Sequence, residues 1–151
     1  MDKQLEKFIN ELINAELWSS MLYIDLRNYF EGQGMPTLAY WIETEGQKKT
    51  SRIHQMTELL QNEGGTVSIN SVDYSPKLWQ NTLVALDALL KNERQMSKLA
   101  ENFRILLNNT EDPPSQILTF YLYNGDANIG NIFPELLRML SKEGKKKFPP
   151  E

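Results

Sequence analysis

Apolar residues recur three and four apart along the start of the chain, through Leu5, Leu12, Tyr23, Leu26 and Phe30, with no Gly or Pro between Met1 and Phe30. That spacing predicts one long helix, closed by Gly32, Gly34 and Pro36. A second helix is predicted from Pro36, a residue favoured in a first turn, to about Glu63, where Gly64-Gly65 stops it. Thr66 to Pro76 reads as irregular, with a little strand character in Thr66-Val67-Ser68-Ile69. A connection of that length suits a crossover along a bundle better than a tight turn. A third helix is predicted from about Lys77 to Asn108 and a fourth from Pro114 to about Lys142, with Asp112-Pro113-Pro114 between them. Gly125, Gly130 and Pro134 weaken the fourth, and a kink is expected near Gly130.

Helices of this length imply an all-α fold, an elongated antiparallel bundle in which the long connection makes helices two and three parallel. The chain divides into a bundle over 1–142 and a short tail over 143–151. Lys145-Lys146-Lys147 is read as a solvated terminus.

Helical phase also says which side chains point inward. On the first helix Leu5, Leu12, Glu16, Ser19, Tyr23, Leu26 and Phe30 share a face, and on the third Leu86, Leu89, Glu93, Met96, Ala100, Phe103 and Leu107 do. Each stripe carries one carboxylate at mid-length. On the second helix the same phase runs Leu38, Ile42, Glu45, Lys49, Arg52, Met56 and Leu59, with no aliphatic residue between Ile42 and Ile53. The fourth breaks its apolar run at Asn124-Gly125-Asp126-Ala127-Asn128. A single charge in such a stripe usually turns to solvent. Four helices interrupted at one height instead imply a shared polar layer, in which buried charges must be paired or bound to metal. The layer expected from phase is Glu16 and Glu93 against Lys49 and Arg52, with Tyr23 and Glu45 nearby.

Composition removes several function classes. With 20 Asp+Glu against 16 Lys+Arg the net charge is -4, so a nucleic acid has no electrostatic reason to bind. There is no Cys, which excludes disulfides and thiolate metal sites. No run approaches the ~18 apolar residues of a membrane span, and the start lacks a signal-peptide core, so a cytoplasmic address is expected. The lone His, His54, falls off the inward face.

From Leu5 to Leu140 the chain resembles the non-haem bacterial ferritins. The stretch Ile13-Asn14-Ala15-Glu16-Leu17-Trp18-Ser19-Ser20-Met21-Leu22-Tyr23 is similar to the family's first-helix motif, whose Glu is an iron ligand and whose Tyr hydrogen-bonds in the site. Lys91-Asn92-Glu93 resembles the third-helix motif with a further ligand Glu, and Asn62-Glu63-Gly64-Gly65-Thr66-Val67 with Ser75-Pro76 resembles the crossover. The resemblance implies a ferritin-like four-helix bundle, iron storage, and Glu16 and Glu93 as vestigial metal ligands.

The chain departs from that pattern at the remaining ligand positions. The family's second-helix Glu-x-x-His pair reads Lys49 and Arg52 here, and its fourth-helix ligands fall among Asn124, Gly125, Ala127 and Asn128. Thr50 stands where the haem-binding relatives carry an axial Met, and Gln47, Lys48 and Ser51 replace an acidic mineral-nucleating face. Two cations and two carboxylates make a neutral ionic layer, so no bound cofactor and no ferroxidase activity are expected.

Three functions follow as alternatives: a storage-type subunit that co-assembles with an active ferritin subunit, an iron-independent dimeric structural bundle, or residual metal chemistry through Glu16 and Glu93. The resemblance implies a homodimer, with Trp18, Tyr29, Tyr40 and Trp79 as possible interface aromatics. Ser141 to Glu151 is too short for the family's fifth helix, so the 24-subunit shell is expected to be absent or fragile.

Overall fold

The computed structural model describes residues 1–70, 73–75, 77–124 and 133–147. Asp2 opens α1 (Lys3–Gly32) by accepting the amides of Gln4 and Leu5 at 2.8 and 2.9 Å, so two of the first-turn donors that lack helical partners are satisfied. Gly34, at φ 71°, takes the left-handed conformation that turns the chain into α2 (Pro36–Asn62), and Gly64, at φ 75°, takes it again after α2 ends.

The third helix, α3 (Thr82–Asn108), begins later than Lys77. Asn81 accepts the Val84 amide at 2.9 Å and so caps the helix, while the Lys77 amide is directed 3.4 Å to Asp25 Oδ2. The fourth predicted helix is described as α4 (Ser115–Asn124) and α5 (Phe133–Lys147). Pro134 sits in the first turn of α5, where a missing donor costs nothing, and α5 runs to Lys147 rather than stopping near Lys142. The tail expected from residue 143 is therefore helical through Lys147. Gly125, Asp126, Ala127, Asn128, the expected kink at Gly130 and the last four positions lie outside the described residues.

Burial gives the chain direction. One apolar cluster joins Leu22, Leu26 and Phe30 of α1 to Leu38 and Ile42 of α2, Ala85 and Leu89 of α3, and Leu136 and Met139 of α5. A second large one joins Leu5, Ile9 and Leu12 of α1 to Met56 and Leu60 of α2, Phe103 and Leu107 of α3, and Ile117 and Phe120 of α4, and a small third one holds Met96 and Ala100 of α3. α1 thus runs opposite to α2 and α3, which are parallel, and α4 followed by α5 runs in the direction of α1 and packs against α2. This is an all-α, four-stave bundle with one long crossover. Among the described residues no helix is long and apolar enough to cross a membrane.

The crossover is pinned to α1 by side chains spaced one turn apart. Asn10 donates to Thr66 O at 2.9 Å and accepts from Ser68 N at 2.7 Å; Asn14 donates to Ser68 O at 2.9 Å and accepts from Asn70 N at 2.8 Å. Each carboxamide thereby replaces a neighbouring strand, which settles the weak strand character of Thr66 to Ile69 as an extended strap. Further along, Tyr74 stacks edge-on against Trp18 and donates to Asp25 at 2.5 Å. The double variant Asn10→Ala/Asn14→Ala is expected to speed hydrogen exchange at the Ser68 and Asn70 amides by about two- to tenfold, each losing a bond of about 0.5–1.5 kcal/mol. Unchanged protection there would mean the strap is held by something else.

Of the aromatics suggested for an interface, Trp18 and Trp79 pack against the chain's own core and Tyr29 lies edge-on to Phe30. Tyr40 is 72 % exposed.

Candidate functional site

Between the two large apolar clusters lies a polar layer. Glu16, Ser19, Lys49, Arg52, Asn92 and Glu93 are all buried there, and the two carboxylates have no exposed surface. Heptad phase placed Glu16 and Glu93 inward from α1 and α3, and Lys49 and Arg52 inward from one face of α2, three residues apart. The structure brings these four together. Arg52 Nη2 reaches Glu16 Oε2 at 3.0 Å and Oε1 at 3.3 Å, so one nitrogen serves both oxygens. Lys49 Nζ lies 3.4 Å from Glu93 Oε1 and 4.8 Å from the centre of the Tyr23 ring. One pair ties α2 to α1, and the other ties α2 to α3.

Tyr23 completes the second pair by donating its hydroxyl to Glu93 Oε1. Its phenol is held well above its ordinary value, first by burial, then by the charge and hydrogen bond of Glu93, with Glu45 and Glu16 adding to the effect. Because the folded state holds this proton more tightly than the unfolded chain, the stabilisation is full below about pH 10 and is lost as pH rises toward the displaced value. The stability gap between wild type and Tyr23→Phe is therefore expected to narrow from about pH 8 to about pH 11, and a gap that widens would contradict the assignment.

The other residues singled out from sequence take lesser places. Glu45 is partly buried and turns outward to Lys48, at 2.9 Å. Thr50 and Gln47 line an outer groove between α1 and α2, and Ser51 and His54 are exposed. Asn124 donates to Gln55 on α2 at 3.1 Å. Sequence phase missed Asn92, which donates to Ser19 Oγ at 2.6 Å and closes the α1–α3 side of the layer. Its spacing was a usable signal, since Asn92 is three residues after Leu89 and four before Met96.

The donor set among the described residues does not fit a pair of iron ions. Among the described residues no group of three or more His, Cys, Asp or Glu side chains could hold a metal. The carboxylate oxygens that would face a cation instead face Lys49 and Arg52, and Arg52 Nε and Glu93 Oε2 are buried without a hydrogen-bond partner.

Comparison with known proteins agrees with this architecture. The model of the ferritin-like domain matches residues 6–119. Two curated proteins described as bacterial non-heme ferritin, from Bacteroides fragilis strains 638R and YCH46, are 31 % identical over 101 residues, which is 67 % of this chain. The match spans 64 % of the length of those relatives. Among solved structures, a humanized archaeal ferritin superposes with a TM-score of 0.75 at 18 % identity, over 100 % of this chain and 88 % of that one. An open pore ferritin from Archaeoglobus fulgidus superposes at 0.65, also at 18 % identity, over 95 % of this chain and 82 % of that one.

Proposed function

The chain belongs to the ferritin family, and from that premise we propose that it is a storage-type subunit without a ferroxidase centre of its own. The single observation that carries this reading is the pair of buried ion pairs, Arg52 with Glu16 at 3.0 Å and Lys49 with Glu93 at 3.4 Å. Protein cations hold the carboxylates that iron would need. A divalent ion about 4 Å from one such cation would be repelled by on the order of 8 kcal/mol at an effective dielectric of about 20. Displacing Lys49 would also leave the Glu93–Tyr23 pair without its cation.

Iron handling then falls to other surfaces or to an active ferritin subunit with which this chain co-assembles, and the chain itself pairs as a homodimer. The test is aerobic oxidation of ferrous iron by the purified protein, followed by absorbance on mixing. No acceleration over buffer is expected. A fast phase consuming about two iron ions per subunit would overturn the reading. Solution mass together with iron content, measured with and without an active partner subunit, separates co-assembly from an iron-independent dimeric bundle.

A further inference from the structure

Three helices meet at the polar layer, and every side of the triangle they form is closed by a directional polar contact. Arg52 with Glu16 joins α2 to α1, Lys49 with Glu93 joins α2 to α3, and Tyr23 with Glu93 and Asn92 with Ser19 join α1 to α3. We propose that this layer is a register lock: it sets the axial alignment of α1, α2 and α3, and the stability of the fold comes from the apolar clusters above and below it. The inference goes beyond the role proposed above and stands apart from it, since its tests do not involve iron.

The argument rests on what a slip would do. Apart from Trp41, the apolar stripes of α2 are made of Leu, Ile, Ala and Met, which exchange places at little cost when volume is roughly kept. A slide of α2 by one turn, about 5.4 Å, is therefore weakly opposed by the apolar clusters alone. The layer opposes it in both directions. Moved one way, α2 brings Lys49 to Glu16, but Glu45 or Gly46 then faces Glu93. Moved the other way, Arg52 meets Glu93, and Gln55 or Met56 faces Glu16. Either slip keeps one pair and leaves one buried carboxylate without a counter-charge. A single ion pair would leave one slipped alignment available, and two pairs on different partner helices leave none.

The layer is also poorly suited to a purely stabilising role. Arg52 Nε and Glu93 Oε2 stay buried without partners, and buried ion pairs commonly give no more stability than apolar side chains of similar volume. What they do supply is a penalty on every wrong alignment, as a polar position does in a coiled coil.

The test compares two variants of the full chain. In the first, Glu16→Met, Lys49→Met, Arg52→Leu and Glu93→Leu remove the layer's charges, and Tyr23→Phe removes the hydroxyl that Glu93 would leave unpaired. In the second, Glu16→Arg with Arg52→Glu exchanges one pair's charges. The apolar variant is expected to stay helical, with a urea midpoint at or above wild type, yet to show more than one amide cross-peak for many residues and to bind a hydrophobic dye. The exchanged variant is expected to keep a single set of cross-peaks. An apolar variant with one sharp set of cross-peaks and no dye binding would overturn the proposal, and so would one that fails to fold. An exchanged variant with several sets of cross-peaks, or none, would overturn it too.

Discussion

Replacing Arg52 with methionine is expected to lower the unfolding free energy by about 3–5 kcal/mol. The loss comes less from the missing attraction than from what remains, because Glu16 is fully buried and Arg52 is the partner of both its oxygens. A carboxylate stranded between two apolar clusters has neither water nor a counter-charge. For a domain whose whole margin is about 5–15 kcal/mol, that is a large part of its stability. Adding Glu16→Gln to the same chain is expected to recover most of the loss, since the group left behind is then neutral. Urea unfolding of the two single variants and the double variant gives the coupling directly. A cost under about 1 kcal/mol for Arg52→Met would place the pair with solvent-exposed ion pairs and remove the physical basis of the layer. The surface pair of Arg138 with Glu135 is the control: both side chains are about half exposed, and removing either should leave the midpoint essentially unmoved.

The parts of this molecule that were legible from sequence are those in which one residue contradicts its stripe. Glu16 in a run of Leu and Tyr, and Lys49 and Arg52 in a run of Leu, Ile and Met, stand out because burying a charge is expensive enough to demand a partner. Asn92 and Ser19 do not stand out, since small neutral groups are common on either face of a helix, and only their spacing marks them. The expected start of α3 near Lys77 falls too early because Leu78 and Trp79 continue the apolar pattern upstream of Asn81. Periodicity does not report burial, and Leu78 is fully exposed while the Asn81 cap sets the boundary. The roles of Asn10 and Asn14 were out of reach for a different reason. Their partners lie 54 to 58 positions away, and nothing in a local pattern says which polar side chain on a helix will meet a returning loop.

The same contrast between local pattern and long-range packing sets the expectation for α4. With 10 residues, α4 is too short to persist alone, since an isolated helix under about 12–15 residues is marginal in water. Its order must come from docking, and the dock is Phe103. That ring is fully buried on α3, stacks on Phe8 of α1 with centres 5.4 Å apart, meets Tyr121 edge-on at 5.5 Å and lies 6.5 Å from Phe120. Phe103→Ala is therefore expected to cost about 3–5 kcal/mol, partly as lost transfer energy and partly as a cavity that three other rings cannot fill. The loss should fall unevenly. Exchange at the α4 amides should rise more than at the mid-helix amides of α1 and α2, which keep the apolar cluster around Leu26, Leu38 and Ile42. Leu122→Ala, at a side chain 76 % exposed, should shift stability by less than about 0.5 kcal/mol. Uniform exchange across all helices in Phe103→Ala would show instead that α4 opens only with the whole bundle.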